Sequence, residues 1–176
     1  MANLVSVLAY NQFILENTEI NTEFYTGLFY TYYYDYRRDI INFYKIPKKV
    51  RDFYDGRPLV FIFEKYVTKD NKPMVRGINL HYMPLIEREL WLNLLTKVGA
   101  EYIKNNDRIL LPKEIITRLT AKSKYAIKQY DINKISKVRK VPYNKIGTLA
   151  AFIPPTHEGK SYLDIVADYN LYKPGQ

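Results

Sequence analysis

Apolar and polar positions alternate most clearly between Leu59 and Tyr82. Leu59-Val60-Phe61-Ile62-Phe63 is a run of β-forming residues, Thr68-Lys69-Asp70-Asn71-Lys72-Pro73 is a polar loop, and Met74 to Tyr82 returns to β-formers. Two such runs around a turn predict a β-hairpin. Within its second arm Ile78, Leu80 and Tyr82 share one face and Asn79 and His81 the other, as a period of two requires. Upstream, Phe24 to Tyr36 holds aromatics too densely for a one-sided helix, so the reading is a strand or extended segment with both faces covered, ending at Arg37-Arg38. The turn signals Pro47-Lys48-Lys49 and Tyr54-Asp55-Gly56-Arg57-Pro58 separate that segment from the hairpin.

After the hairpin the period changes. Pro84 suits a first helical position, and Leu85, Ile86, Leu90, Trp91, Leu94, Leu95 and Val98 recur as one apolar stripe before Gly99 stops the helix. This is the expected core helix, with Trp91 inside. A second, shorter helix is predicted from Pro112, with Ile115, Ile116 and Leu119 inward and Lys113, Arg118 and Lys122 outward. Tyr125-Ala126-Ile127 reads as a strand. Asp131 is an expected N-cap of a turn or short helix over 131–135. Ile146 to Ile153 reads as a buried strand closed by Pro154-Pro155. Residues 1–20 form an arm, strand or short helix that needs something to pack on, and 161–169 one or two helical turns in a tail.

These elements predict an α+β fold: a small, mostly antiparallel sheet or partly open barrel, one long core helix, a second shorter helix, and extended termini. The chain divides into an N-terminal arm at 1–23, a single domain at 24–155 and a tail at 156–176. A length of 176 residues fits one domain with a real core.

Composition changes this picture in two places. Eighteen of the residues are Tyr, against 8 Phe and 1 Trp. Tyrosine joins an apolar ring to a hydroxyl that tolerates water, which suits a surface covered by a partner. On that ground Tyr25, Tyr30, Tyr32, Tyr34 and Tyr36 are candidate protein-interface residues; the competing explanation is the codon bias of an AT-rich genome. Charge is the second. From Lys104 to Lys145 there are twelve Lys and Arg against three acids, so this stretch accounts for the whole net charge of +9. Such a patch meets either phosphate or an acidic protein face. In Asn133 to Val141 basic and apolar residues alternate, with Lys134 and Lys140 on one face beside Ser136 and Val138, and Lys137 and Arg139 on the other. Lys134, Lys137, Arg139 and Lys140, together with Arg37 and Arg38, are the candidate contacts for nucleic acid or an acidic partner; a lysine-protected edge strand explains the run equally well.

Candidate chemistry is sparse. The two histidines, His81 and His157, lack a second ligand at metal-binding spacing, and Cys is absent. No glycine-rich phosphate loop or nucleophile elbow occurs. Glu87 and Glu89, two apart on a helix, point different ways. The expectation is a non-enzymatic protein with no metal, no cofactor and no catalytic residues. No apolar run approaches a membrane span and the first residues lack a signal-peptide pattern, so the expected setting is the cytosol or an assembly built there, without membrane contact.

Phe53-Tyr54-Asp55-Gly56-Arg57-Pro58-Leu59-Val60 with Glu64-Lys65-Tyr66, then Gly77-Ile78-Asn79-Leu80-His81-Tyr82-Met83-Pro84, and later Phe152-Ile153-Pro154-Pro155, carry a resemblance. In order and spacing over residues 24–160 the chain resembles small virion-associated proteins of contractile-tailed, T-even-like phages, a family often labelled DNA end protectors. Met83 stands where that pattern has leucine, and the first 20 residues have no counterpart in it. The resemblance implies a structural or assembly protein of the virion, made in the host cytoplasm. Its implied partners are other phage structural proteins in a multi-copy assembly, with double-stranded DNA at the neck as a further one. A baseplate, hub or wedge position without DNA, and a DNA-binding genome-end protector, are the alternatives. It supplies no catalytic residues.

Overall fold

The computed structural model describes residues 12–35, 56–100, 103–104, 108–121 and 123–150. The expectations on Tyr36, Arg37, Arg38, the 47–49 turn, Lys122, the 151–155 end of the last strand, His157 and the 156–176 tail lie outside them. The fold is α+β, with a six-stranded sheet in the order β1-β8-β2-β3-β4-β7 whose neighbours are all antiparallel. Its strands are β1 (Glu19–Ile20), β2 (Leu28–Tyr34), β3 (Leu59–Val67), β4 (Pro73–Asn79), β7 (Ile127–Asp131) and β8 (Ile135–Val141). A separate ribbon pairs β5 (Ile103–Lys104) with β6 (Arg108–Ile109). The helices are α1 (12–17), α2 (Leu85–Gly99), α3 (Lys113–Leu119) and α4 (Ile146–Ala150).

The order of strands forces the sheet to curl. β7 and β8 are separated by three other strands, yet only residues 132–134 connect them. In a flat sheet four inter-strand steps span about 19 Å. Four residue steps of chain reach at most about 14 Å. The sheet therefore coils into a partly open barrel, and side chains from β2 and β7 meet across its hollow. The Tyr130 ring lies 5.4 Å from Tyr32 and 5.0 Å from Tyr34, both edge-on.

The hollow is filled by Tyr30, Tyr32, Val60, Ile62, Val75 and Tyr130, with Phe24 against Tyr30 and Tyr32. On the convex face Phe29, Leu59, Phe61 and Ile78 form a second core beneath α2, joined by Ile14 from α1, Val141, and Ile146 and Ala150 from α4. Both faces of β2 are thus buried from Phe29 to Tyr32. The hairpin of β3 and β4 forms, with Thr68 N–H donating to Lys72 O at 3.0 Å and Asn71 at φ 57° turning the loop. A bulge between Ile62 and Glu64 adds to the coiling.

At Gly27, φ is +84°, its N–H donates to Ile62 O at 2.6 Å, and its carbonyl accepts from Ile109 N–H at 2.9 Å. A Cβ there would sit 2.6 Å from the Ile109 carbonyl oxygen, so only glycine lets the ribbon approach.

Four expectations need correction. The apolar run at Ile146 starts a helix, not a strand: Ile146–Ala150 is α4, and its inward Ile146 and Ala150 are four apart. Residues 124–126 form a 3-10 turn, and the strand starts at Ile127. The second arm of the hairpin is shorter than expected, because β4 ends at Asn79 and Leu80–Tyr82 is a 3-10 turn with all three side chains buried. The apolar residues of α2 form two stripes, not one. Trp91 and Leu95 are buried, whereas Ile86, Leu90 and Leu94 are 72%, 58% and 49% exposed.

Candidate functional site

The cationic strand β8 is where the sequence concentrates candidate contacts. Its simple alternation fails because Lys137 adopts φ 51° in a bulge that sets Thr31 opposite Arg139 but Tyr33 opposite Ser136. Ser136 and Arg139 therefore share a face, and Lys140 lies on the other, opposite Tyr30.

Two of the predicted contacts are engaged within the chain. Arg139 clamps the arm: Nε donates to Thr18 Oγ1 at 2.5 Å, and Nη2 donates to Thr18 O at 2.7 Å and Leu15 O at 3.1 Å. Those acceptors include the C-terminal carbonyls of α1, where a guanidinium is favoured by the helix dipole. Lys140 Nζ lies 3.8 Å from Glu19 Oε2 across the β1–β8 pair. Lys134 is half-buried, and its carbonyl accepts from Asp35 N–H at 3.0 Å.

The remaining residue, Lys137, belongs to a constellation that sequence reasoning did not assemble. Its Nζ lies 5.0 Å from the centre of the Tyr33 ring, and the guanidinium carbon of Arg57, from the segment before β3, lies 3.2 Å from it. Tyr33 is partly exposed at the end of β2. Two cations on one accessible ring make a small cationic-aromatic surface, the type that stacks bases or meets carboxylates. Arg57 was recognisable only as part of a turn signal, and its contact with Tyr33 could not be read from the residues.

The tyrosines expected at an interface divide. Tyr30 and Tyr32 are fully buried in the chain's own barrel, which corrects their assignment to an intermolecular surface. Tyr34 is half-buried against Tyr130. Tyr25 is exposed, with its hydroxyl donating to Glu23 at 2.5 Å and Arg108 near its ring. The Tyr30 hydroxyl accepts from Tyr25 N–H at 2.9 Å. Burial raises the Tyr30 hydroxyl above the usual tyrosine range and raises Tyr32 well above it, the neighbouring Tyr130 and Tyr34 adding to the latter.

The second accessible feature is the outer face of α2. Its inner face is anchored by Trp91, edge-on to Phe29 and Phe61 at 6.2 and 5.7 Å, and by the fully buried Arg88. Arg88 Nε donates to Met83 O at 2.7 Å, Nη1 to Ala150 O at 2.8 Å, and Nη2 to His81 O at 3.2 Å. One guanidinium therefore joins hairpin end, helix and α4. His81 is buried there, its N–H donating to Asn79 Oδ1 at 3.1 Å while Asn79 Nδ2 donates to Tyr130 Oη at 2.9 Å. The hairpin-to-helix junction motif thus has a structural use for its polar residues. Sequence reasoning missed Arg88, whose only signal was its place one turn from Trp91.

A groove of about 350 Å³ runs between α2 and α4, lined by Leu85, Arg88, Glu89, Leu92, Asn93, Gly147 and Ala150. Among the described residues no three His, Asp or Glu side chains gather as a metal site, and no helix is long and apolar enough to cross a membrane. No family model matches the chain, and neither does any curated protein or solved structure.

Proposed function

We propose that this protein is a non-catalytic structural or assembly subunit of a tailed-phage virion, docking onto protein neighbours through the outer face of α2. The observation that carries the docking is the row Ile86, Leu90 and Leu94, exposed on a helix whose inner face is already satisfied by Trp91, Leu95 and Arg88. Exposed aliphatics one turn apart on a rigid helix make a seam for a protein partner. The virion setting rests on the sequence resemblance across residues 24–160. It brings synthesis in the host cytoplasm and multi-copy packing against other phage proteins, at the neck or in the baseplate.

A second reading is favoured by the Arg57–Tyr33–Lys137 surface, which fits DNA phosphates and bases or an acidic protein face. Relative to the sequence expectation it is a smaller site, because Arg139 and Lys140 hold the arm. Docking through α2 is tested by supplying Leu90→Glu in place of the native chain during particle assembly. The expected result is a folded protein missing from purified particles; normal incorporation overturns the docking.

A further inference from the structure

We infer that the Arg57–Tyr33–Lys137 surface receives a carboxylate side chain, aspartate or glutamate, of an acidic protein partner. The inference rests on the second reading above and chooses between the two ligands which that reading allows.

The sheet holds these residues ready. β2 lies between β8 and β3, so Lys137 reaches Tyr33 from one neighbouring strand and Arg57 from the segment that leads into the other. Lys137 is exposed, and its φ of 51° lies in the left-handed region that a residue with a Cβ enters at a cost. Glycine would fit that bulge more easily. A lysine kept there against the backbone preference, with its ammonium 5.0 Å from the centre of an accessible ring, points to use in binding rather than in folding. Arg57 has a further interaction within the chain, so it is the fixed wall of the surface, and the group offered to a ligand is the Lys137 ammonium.

Two features select a carboxylate over nucleic acid. Single strands are bound by stacking bases on open aromatic faces along a cationic groove, and duplexes by neutralising several phosphates at once. The Arg57 guanidinium already stands 3.2 Å over Tyr33 and the Lys137 ammonium stands over it from the other side of β2, so a base would have to displace a cation to stack. Nor does β8 supply a row of cations: Arg139 is bonded to Thr18 and Leu15, and Lys140 lies 3.8 Å from Glu19. What remains is one exposed ammonium beside an aromatic ring whose edge is positive. That matches a single carboxylate, and a charge pair of this kind sets register and partner choice in a protein interface.

Titrating a short glutamate peptide into the full-length, 15N-labelled chain at low salt, with a short lysine peptide and a short thymidine oligonucleotide as comparison probes, tests this through the amide shifts of Tyr33 and Lys137. The expected result is a saturable shift with the glutamate peptide and none with the other two. Lys137→Gln weakens the peptide by about fivefold, the scale of a surface ion pair, while Lys72→Gln in the exposed hairpin loop leaves it unchanged. Lys137→Gly also loses the peptide, yet its Tm does not fall, because the backbone strain is relieved. Equal weakening by Lys72→Gln would reduce the binding to general charge attraction, and a lowered Tm in Lys137→Gly would make Lys137 a structural residue; either overturns the inference. If the oligonucleotide shifts these amides through Lys137 and the peptide does not, the carboxylate is wrong but the cationic surface stands; if no probe shifts them, the surface reading fails as well.

Discussion

Arg88 and Ala150 are 62 positions apart in the chain, yet Arg88 Nη1 donates to the Ala150 carbonyl at 2.8 Å inside the protein. With its bonds to Met83 and His81, that guanidinium fixes how α4 and the hairpin end sit on α2. Replacing it with Leu leaves three buried carbonyls without this donor. We expect Arg88→Leu to destabilise the fold by about 3 kcal/mol or more in urea titration. Arg88→Lys should recover only a part, since one ammonium cannot span the same fork.

Gly27 is the second sensitive point. Alanine there meets both an unfavourable positive φ and the backbone of Ile109. Gly27→Ala should cost about 2 kcal/mol or more and expose the amide of Ile109 to hydrogen exchange first, because its bond to the Gly27 carbonyl is the one lost.

Much of this arrangement was legible in the residues, and the failures have specific causes. The hairpin read correctly because its period of two runs on both sides of a polar turn, and α2 and α3 because proline marks their starts. Asp131 caps as expected, its carboxylate accepting from Asn133 N–H at 2.9 Å. The run at Ile146 was misread because short apolar segments have no decisive period. The two stripes of α2 merged into one because a helix apolar on opposite sides gives no contrast to locate its core face. The phase of β8 was lost at Lys137, since a bulge at a non-glycine residue leaves no mark in the alternation. The tyrosines of β2 looked like interface residues because the curl that turns them inward depends on the partners of β7 and β8, which are distant in sequence from β2.

The basic residues of β8 should separate in experiment. Arg139→Ala is expected to cost about 1–2 kcal/mol and raise hydrogen exchange over residues 12–20, by freeing Thr18 and Leu15. It should leave DNA affinity unchanged. On the DNA reading, Lys137→Glu and Arg57→Ala abolish binding of a short duplex at low salt, and the native chain's affinity falls with a log–log slope of about −0.9 per phosphate contacted. Equal losses from Arg139→Ala and Lys137→Glu would contradict the division of roles.

Alkaline pH should unfold the protein through its barrel. The Tyr30 and Tyr32 hydroxyls are raised, chiefly by burial, so above the ordinary tyrosine pKa of about 10 the unfolded chain has already lost protons that the folded chain keeps. Stability is therefore intact below that value and falls as pH rises through and beyond it. Phenolate absorbance should rise together with loss of far-UV signal, and Tyr32→Phe should move that transition to higher pH. Full titration of every tyrosine in a chain that stays folded would contradict the burial of Tyr32.

On the proposed function, the protein is a non-catalytic virion subunit that docks through α2. The most direct test of that proposal is cross-linking mass spectrometry on density-purified phage particles assembled in cells that express the chain, with attention to Lys97 at the end of the exposed row. The account predicts the chain as a stoichiometric particle component, with Lys97 linked to a neighbouring virion chain, its own second copy included. Its absence from the particles, or its presence with Lys97 unlinked while lysines elsewhere are linked to neighbours, would contradict the account.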